Sequence, residues 1–191
     1  ELFKNPALAA MYGRLLKEAE SVGADRDTQI EAARECWYQG FIAEAIDAFC
    51  QTTEVMDTSG RKHKALLTGA DMAGYKAHYE TPVTLDYPAN GEVYTVAKPG
   101  PWTQGPVMLQ QLALLKGFPL ADMDPTGADF VHTIMECAKL AFADRETYYG
   151  DPAYSDVPLE HLLSDAYATE RRALVGNDAS YDFRPGEVAG F

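Results

Sequence analysis

Residues 82–96 read PVTLDYPANGEVYTV, and this stretch decides between an all-helical chain and a mixed one. On both sides of residues 88–91 apolar and polar residues alternate with a period of two, the pattern of a strand that buries one face. Between the two halves stands Asn90-Gly91, a pair that accepts the left-handed backbone a tight hairpin turn demands. A two-stranded hairpin is predicted here, and the fold class is therefore α+β, predominantly helical with a short β-hairpin.

Outward from the hairpin the period changes. Residues 98–106, KPGPWTQGP, hold too much Pro and Gly for regular structure. They deliver the chain into a helix carrying Val107, Met108, Leu112 and Leu115 that Gly117 ends. Thr126 is predicted to cap the longest helix, whose Phe130, Ile134, Cys137, Ala138, Ala141 and Phe142 fall on one face and read as core. A final helix is expected after Ser164, and the turn-rich tail from Gly176 onward is expected to be mobile. Upstream, Thr68 and Asp71 have capping-box spacing at the start of a short helix ending near Tyr75. Residues 57–65 are polar and turn-rich, a loop open to nicking. The first 56 residues read as all-helical. Helix one spans about 6–20 behind Asn5-Pro6; a second, capped by Asp25 or Asp27, breaks at Gly40; a third carries Ile42, Ala45, Ile46 and Phe49. This divides the chain into a helical segment, 1–80, and a hairpin with long helices, 81–191, in one folding unit overall.

Bulk properties narrow the function classes. The chain has 191 residues, 47% apolar, enough for one well-filled core. Acidic residues outnumber basic ones 29 to 16, for a net charge of −13, and such a surface repels phosphate backbones and anionic lipid, so neither nucleic acid nor membrane is an expected partner. No apolar run approaches the roughly 20 residues that span a bilayer, and Arg61-Lys62-His63-Lys64 reads as a solvated loop. Cys36, Cys50 and Cys137 form no Cys-x-x-Cys pair and read as buried free thiols. The chain opens at Glu1 with neither Met nor a signal-like segment, which reads as part of a longer or processed product and leaves the compartment undefined.

The candidates for chemistry are few. His63, His78, His132 and His161 are scattered and predict no metal site. Asp122 and Asp124 imitate the opening of a calcium loop, but the twelfth position is Thr133 where a bidentate Glu is required, so a turn feeding a helix is expected. Asp144, Arg145 and Glu146 offer either a carboxylate pair for acid/base work or an ion pair that pins Arg145; the ion pair is preferred. Residues 98–106 enter a helix through glycines and could present backbone N–H groups to a carboxylate or oxyanion, or could need Gly only for close packing, and Pro106 removes one donor. No cofactor is expected, no residue of this chain is assigned as catalytic or as a metal ligand, and substrate-binding residues are left unassigned.

Eight short segments, taken together and in order, resemble the later part of the large subunit of γ-glutamyltransferases: WYQGFIAEAI (37–46), LTGADMAGY (67–75), LQQL (109–112), KLAFADR (139–145), YGDP (149–152), VP (157–158), LSDAYA (163–168) and RPG (184–186). The resemblance implies an N-terminal-nucleophile hydrolase with a four-layer αββα sandwich. Such an enzyme is made as one precursor that cleaves itself before a Thr, which then serves as nucleophile on a γ-glutamyl substrate such as glutathione. It places that Thr a short way beyond Arg184-Pro185-Gly186, on a small subunit that would be this chain's partner, and the arginine gripping the substrate carboxylate upstream of Glu1. Thr52-Thr53 does not match the cleavage motif. This chain alone is thus expected to be inactive, and the family suggests a periplasmic or extracellular setting, with a cytoplasmic one left open. Residues 98–105 depart from the family's Ser-Ser-Gly-Gly turn, residues 59–64 look inserted, and residues 88–91 replace an Arg-Gly turn, leaving the donor open. Two alternatives stand beside this: a sister acylase on the same scaffold, and a non-catalytic helical interaction module using Trp102 and its loop.

Overall fold

The computed structural model describes residues 2–191 and divides into two compact units, Glu1–His78 and Tyr79–Phe191.

The first unit is built from four helices and a small ribbon. Helix α1, Pro6–Glu20, starts where the Asn5 carboxamide accepts the Leu8 N–H at 3.0 Å and Pro6 fills the first turn. Helix α2, Arg26–Tyr38, is capped by Asp25, whose carboxylate accepts from the Thr28 N–H at 2.9 Å and the Thr28 hydroxyl at 2.7 Å. Gly40 separates it from α3, Phe41–Thr52. A Cβ at Gly40 would lie 2.9 Å from the Cys36 Cα and 3.1 Å from its carbonyl oxygen, so only glycine lets the chain fold back here. Residues 55–63 correct two expectations. Val55–Met56 (β1) and Lys62–His63 (β2) pair antiparallel, so the first 56 residues are not all helical, and the basic stretch sits partly in a strand. The ribbon closes because the Asp57 carboxylate caps the turn, accepting the Ser59 N–H at 2.8 Å and meeting His63 Nδ1 at 2.5 Å. Helix α4, Gly69–Gly74, has both arms of the Thr68/Asp71 capping box. The Gly69 N–H donates to Asp47 on α3 at 3.0 Å, fastening the two helices.

The second unit opens with β3, Val83–Ala89, and β4, Glu92–Lys98, antiparallel from Val83↔Lys98 to Ala89↔Glu92. Asn90 and Gly91 both take positive φ, 52° and 79°, the mirror-image turn that their sequence signals. The described residues thus contain two small hairpins where one was expected. Helix α5, Gly105–Leu115, lies against the hairpin through Leu85 and against α6, Ala128–Tyr148. Two short helices follow, α7 at Leu159–Leu162 and α8 at Asp165–Arg172, the latter capped by Ser164 as its sequence predicts. The core gathers Leu85, Val107, Leu109, Ala113, Leu114, Cys137, Leu140, Ala141 and Ala168.

Three further expectations are corrected in this unit. Gly127, not Thr126, caps α6, because the Thr126 hydroxyl is drawn to the Asp124 carboxylate at 2.8 Å. The buried face of α6 is turned from the apolar stripe: Thr133, Glu136, Cys137, Leu140, Ala141 and Asp144 go inward while Phe142 is exposed. The tail beyond Gly176 is irregular but docked, with Gly186 and Val188 buried.

Candidate functional site

The two features that carried chemical promise in the sequence come together. Residues 101–104 face Arg145, Glu146, Tyr149, Gly150 and Asp151 across an open cleft of about 550 Å³. The loop owes its shape to Glu80, whose carboxylate accepts the Gly100 N–H at 3.1 Å and the Trp102 indole N–H at 2.8 Å. Thr103 closes it, donating its hydroxyl to the Gly100 carbonyl at 2.9 Å and accepting the Gly105 N–H at 2.9 Å. Gly105, Pro106 and Val107 are buried, and a Cβ on Gly105 would lie 2.9 Å from the Lys98 Cβ and closer still to the Pro99 carbonyl oxygen. The glycine is there for close packing, and the loop's N–H groups at 100 and 105 are already taken by side chains of the same unit.

Arg145 pairs with Glu146 at the cleft mouth and lies 5.9 Å from the Phe142 ring centroid. Asp144 turns the other way and is fully buried. Its carboxylate accepts from the Gln110 amide, from the Gly186 N–H at 2.7 Å and from Arg171 at 3.4 Å. The three-residue run therefore does not present a carboxylate pair. Gln110, in turn, accepts from the Tyr149 hydroxyl at 3.1 Å, which ties the wall of the cleft to the buried carboxylate. Burial, with the Asp144 charge adding to it, pushes the Tyr149 phenol above its ordinary range.

One helical turn pair back along α6, Glu136 is the second buried carboxylate. It pairs with Lys139, accepts from Arg184 at 2.8 Å and takes the Ser180 N–H at 3.2 Å. Burial alone pushes its carboxyl up, but these partners outweigh burial and leave it below its ordinary value. Arg171 also donates to the Arg184 carbonyl, Arg184 donates to the Leu174 carbonyl at 2.9 Å, and the Tyr148 hydroxyl donates to the Gly186 carbonyl at 2.6 Å. The Tyr167 hydroxyl and the Arg171 Nε are buried without partners. Sequence reasoning missed Glu136, Arg171 and Arg184. The local trace of the first was a carboxylate three residues after Thr133 and four before Leu140, on the face beside the apolar stripe rather than in it.

The remaining candidates do not converge. His63 meets Asp57, His132 Nε2 lies 2.8 Å from the Gly176 carbonyl, His161 packs on the Tyr167 ring with centroids 4.8 Å apart, and His78 is exposed. No group of His, Cys, Asp and Glu among the described residues is arranged to hold a metal ion. Asp124 caps a turn through the Thr126 N–H at 2.9 Å. Thr52 spends its hydroxyl on the Ala48 carbonyl at 2.6 Å, and Thr53 closes α3. Cys50 and Cys137 are buried, but Cys36 is only partly so and approaches Glu18 at 3.5 Å. Burial raises the Cys137 thiol to about 12.

Comparison with known proteins reaches almost the whole chain. The sequence matches the gamma-glutamyltranspeptidase family over residues 1–189. It is 28% identical over 199 aligned residues to the Acylase ACY 1 proenzyme of Pseudomonas sp. (strain SE83), covering 100% of this chain and 33% of that protein. It is 34% identical to the Glutathione hydrolase proenzyme of Escherichia coli (strain K12), covering 80% of this chain and 25% of that protein. A solved structure of LmbA2991 superposes with a TM-score of 0.82 at 52% identity, over 97% of this chain and 30% of that one. The chain thus spans about a third of the length of the relatives it matches, or less.

Proposed function

Because the chain belongs to the gamma-glutamyltranspeptidase family, we propose that it is the later part of the large subunit of a self-processing enzyme that transfers or hydrolyses γ-glutamyl groups. The observation that carries this reading is a family match running from residue 1 to residue 189. It is supported by relatives whose names call them proenzymes. In this reading residues 81–191 contribute the hairpin and long helices to a four-layer αββα sandwich, and residues 1–80 are a helical segment of the same folding unit.

Self-processing needs little chemistry from this chain. A downstream Thr hydroxyl adds to the carbonyl carbon of the peptide bond before it, and the C–N bond breaks as the amine takes up the hydroxyl proton. Water then cleaves the resulting ester, leaving a carboxyl end upstream and a Thr with free hydroxyl and α-amine downstream. That amine is the base for the hydroxyl when a γ-glutamyl amide is attacked. Residues 1–191 supply the frame around these groups and are expected to show no activity alone.

The sister-acylase reading is kept by one pair of observations: the acylase relative aligns over 100% of this chain, and residues 98–105 lack the Ser-Ser-Gly-Gly turn. Assay of the complete protein on γ-glutamyl and non-γ-glutamyl amides separates the two. The primary test is the intact mass of the complete protein with N-terminal sequencing of each product. A second chain beginning with Thr is expected. A single uncleaved chain overturns the enzyme reading in favour of an interaction module presenting Trp102.

A further inference from the structure

We propose that Asp144, Arg171, Glu136 and Tyr148 are positioning residues for self-cleavage: they strap residues 180–188 onto α6 and α8 and so set the direction in which the chain leaves toward the bond that is cut. This inference rests on the self-processing reading above.

The strap is stitched at short intervals. Glu136 takes the Ser180 N–H at 3.2 Å, and Lys139 donates to the Ser180 carbonyl at 2.7 Å. Arg184 is held at both ends, its guanidinium by Glu136 and its carbonyl by Arg171. At Gly186 the N–H goes to Asp144 at 2.7 Å and the carbonyl to Tyr148 at 2.6 Å. Val188 is buried with Leu162 and Tyr167. Five of these contacts grip backbone atoms of the strap, so they fix where the chain runs rather than which side chains it carries.

A tail could be held down with less. Apolar side chains of equal volume often stabilise as well as, or better than, a buried ion pair, whose partners lose their hydration. Here two carboxylates are buried on one helix and two arginines are brought to them, while a phenol and an Nε are left without partners. What directional charge-assisted bonds provide that apolar contact does not is orientation. Orientation matters most for an intramolecular step, where a displacement of about 1 Å can cost about a hundredfold in rate. Gly186 fits the same account. A Cβ there would run into the Tyr167 hydroxyl and lie 2.8 Å from Tyr167 Cζ and 3.0 Å from Arg171 Cδ, so any side chain lifts the strap.

The test uses the complete precursor with Gly186→Ala, Gly186→Ala combined with Tyr167→Phe, and Tyr148→Phe, which removes one hydroxyl and no charge. Three quantities are measured: the rate of self-cleavage by intact mass, the thermal midpoint of the uncleaved precursor, and γ-glutamyl amide hydrolysis by enzyme whose two chains are co-expressed separately. Gly186→Ala is expected to slow cleavage at least about tenfold, and Tyr167→Phe to restore part of that loss. Tyr148→Phe is expected to slow it about threefold to tenfold, the effect of one neutral hydrogen bond. In each case the separately expressed two-chain enzyme keeps activity within about twofold of wild type, since it bypasses the step. Cleavage at the wild-type rate in folded Tyr148→Phe precursor overturns the inference. So does a parallel fall of cleavage, thermal midpoint and two-chain activity, which is what a purely structural strap would give. Failure of the unaltered precursor to cleave strikes instead at the self-processing reading.

Discussion

The two units of the chain hold themselves together by different means. In Glu1–His78 the helices have good ends but little inside: the buried apolar residues are Leu15, Ala19, Ile42, Ala43, Cys50 and Met72, whereas Leu16, Phe49 and Leu66 are 58%, 54% and 93% exposed. In Tyr79–Phe191 the ends are less well capped, since α5 and α6 have no side-chain cap, but Leu109, Leu140 and Leu162 are sealed and two buried carboxylates organise the polar interior. Caps give a helix its limits, worth about 1 kcal/mol each; burial and satisfied charge give a domain its stability. The first unit is specified locally and the second globally.

That contrast is sharpest at Asp144. In the complete protein Asp144→Ala leaves the buried Arg171 charge without its carboxylate and the Gly186 N–H without its acceptor, and a loss of about 3–5 kcal/mol is expected in denaturant unfolding; a loss below about 1 kcal/mol would mean that the second unit does not depend on its charges. Phe49→Ala probes the first unit. If the exposed apolar side of these helices is covered by the rest of the precursor, the substitution costs about 2 kcal/mol in the complete protein; a cost under about 0.5 kcal/mol leaves that surface in water.

Acid should separate the units further. Glu136 has a depressed folded value, so its contribution is fully present above the ordinary carboxylate value of about 4.3 and is lost as pH falls through the lower folded value. Stability of the strap, followed by hydrogen exchange at residues 180–188, is therefore expected to hold at neutral pH and to fall on acidification below that range. Protection that stays flat there would show that Glu136 does not anchor it. The smallest effect is expected at Thr68→Ala, about 1 kcal/mol from loss of one arm of the capping box, measured by the unfolding midpoint.

What the sequence made legible follows the same division. Asn5, Asp25, Gly40, the Thr68/Asp71 box, Asn90-Gly91 and Ser164 act on neighbours three or four residues away, so their meaning was readable in place, and helix ends and the larger hairpin came out close to where they lie. The β1–β2 ribbon escaped because two-residue strands leave no periodic pattern. The rotation of α6 escaped because its inward face is set by Arg171 and Arg184, each more than 25 residues away. An apolar stripe at 130–142 is what a helix shows when nothing distant competes for its carboxylates. For the site, the loop at 98–106 and residues 144–146 were picked out, but that they line one cleft, and that Asp144 belongs to another network, depends on where α5 and α8 place Gln110 and Arg171.

The docked tail has one further consequence, in terms of reach. Each residue adds at most about 3.5 Å of extended chain beyond its last fixed point. With Val188 buried at 7% exposure, the slack available to any group that follows is counted from Val188, not from Gly176 where the irregular segment starts. Twelve residues of tether are removed by the stitching, which shrinks the volume a following group can search and raises its effective concentration at whatever point the strap aims toward.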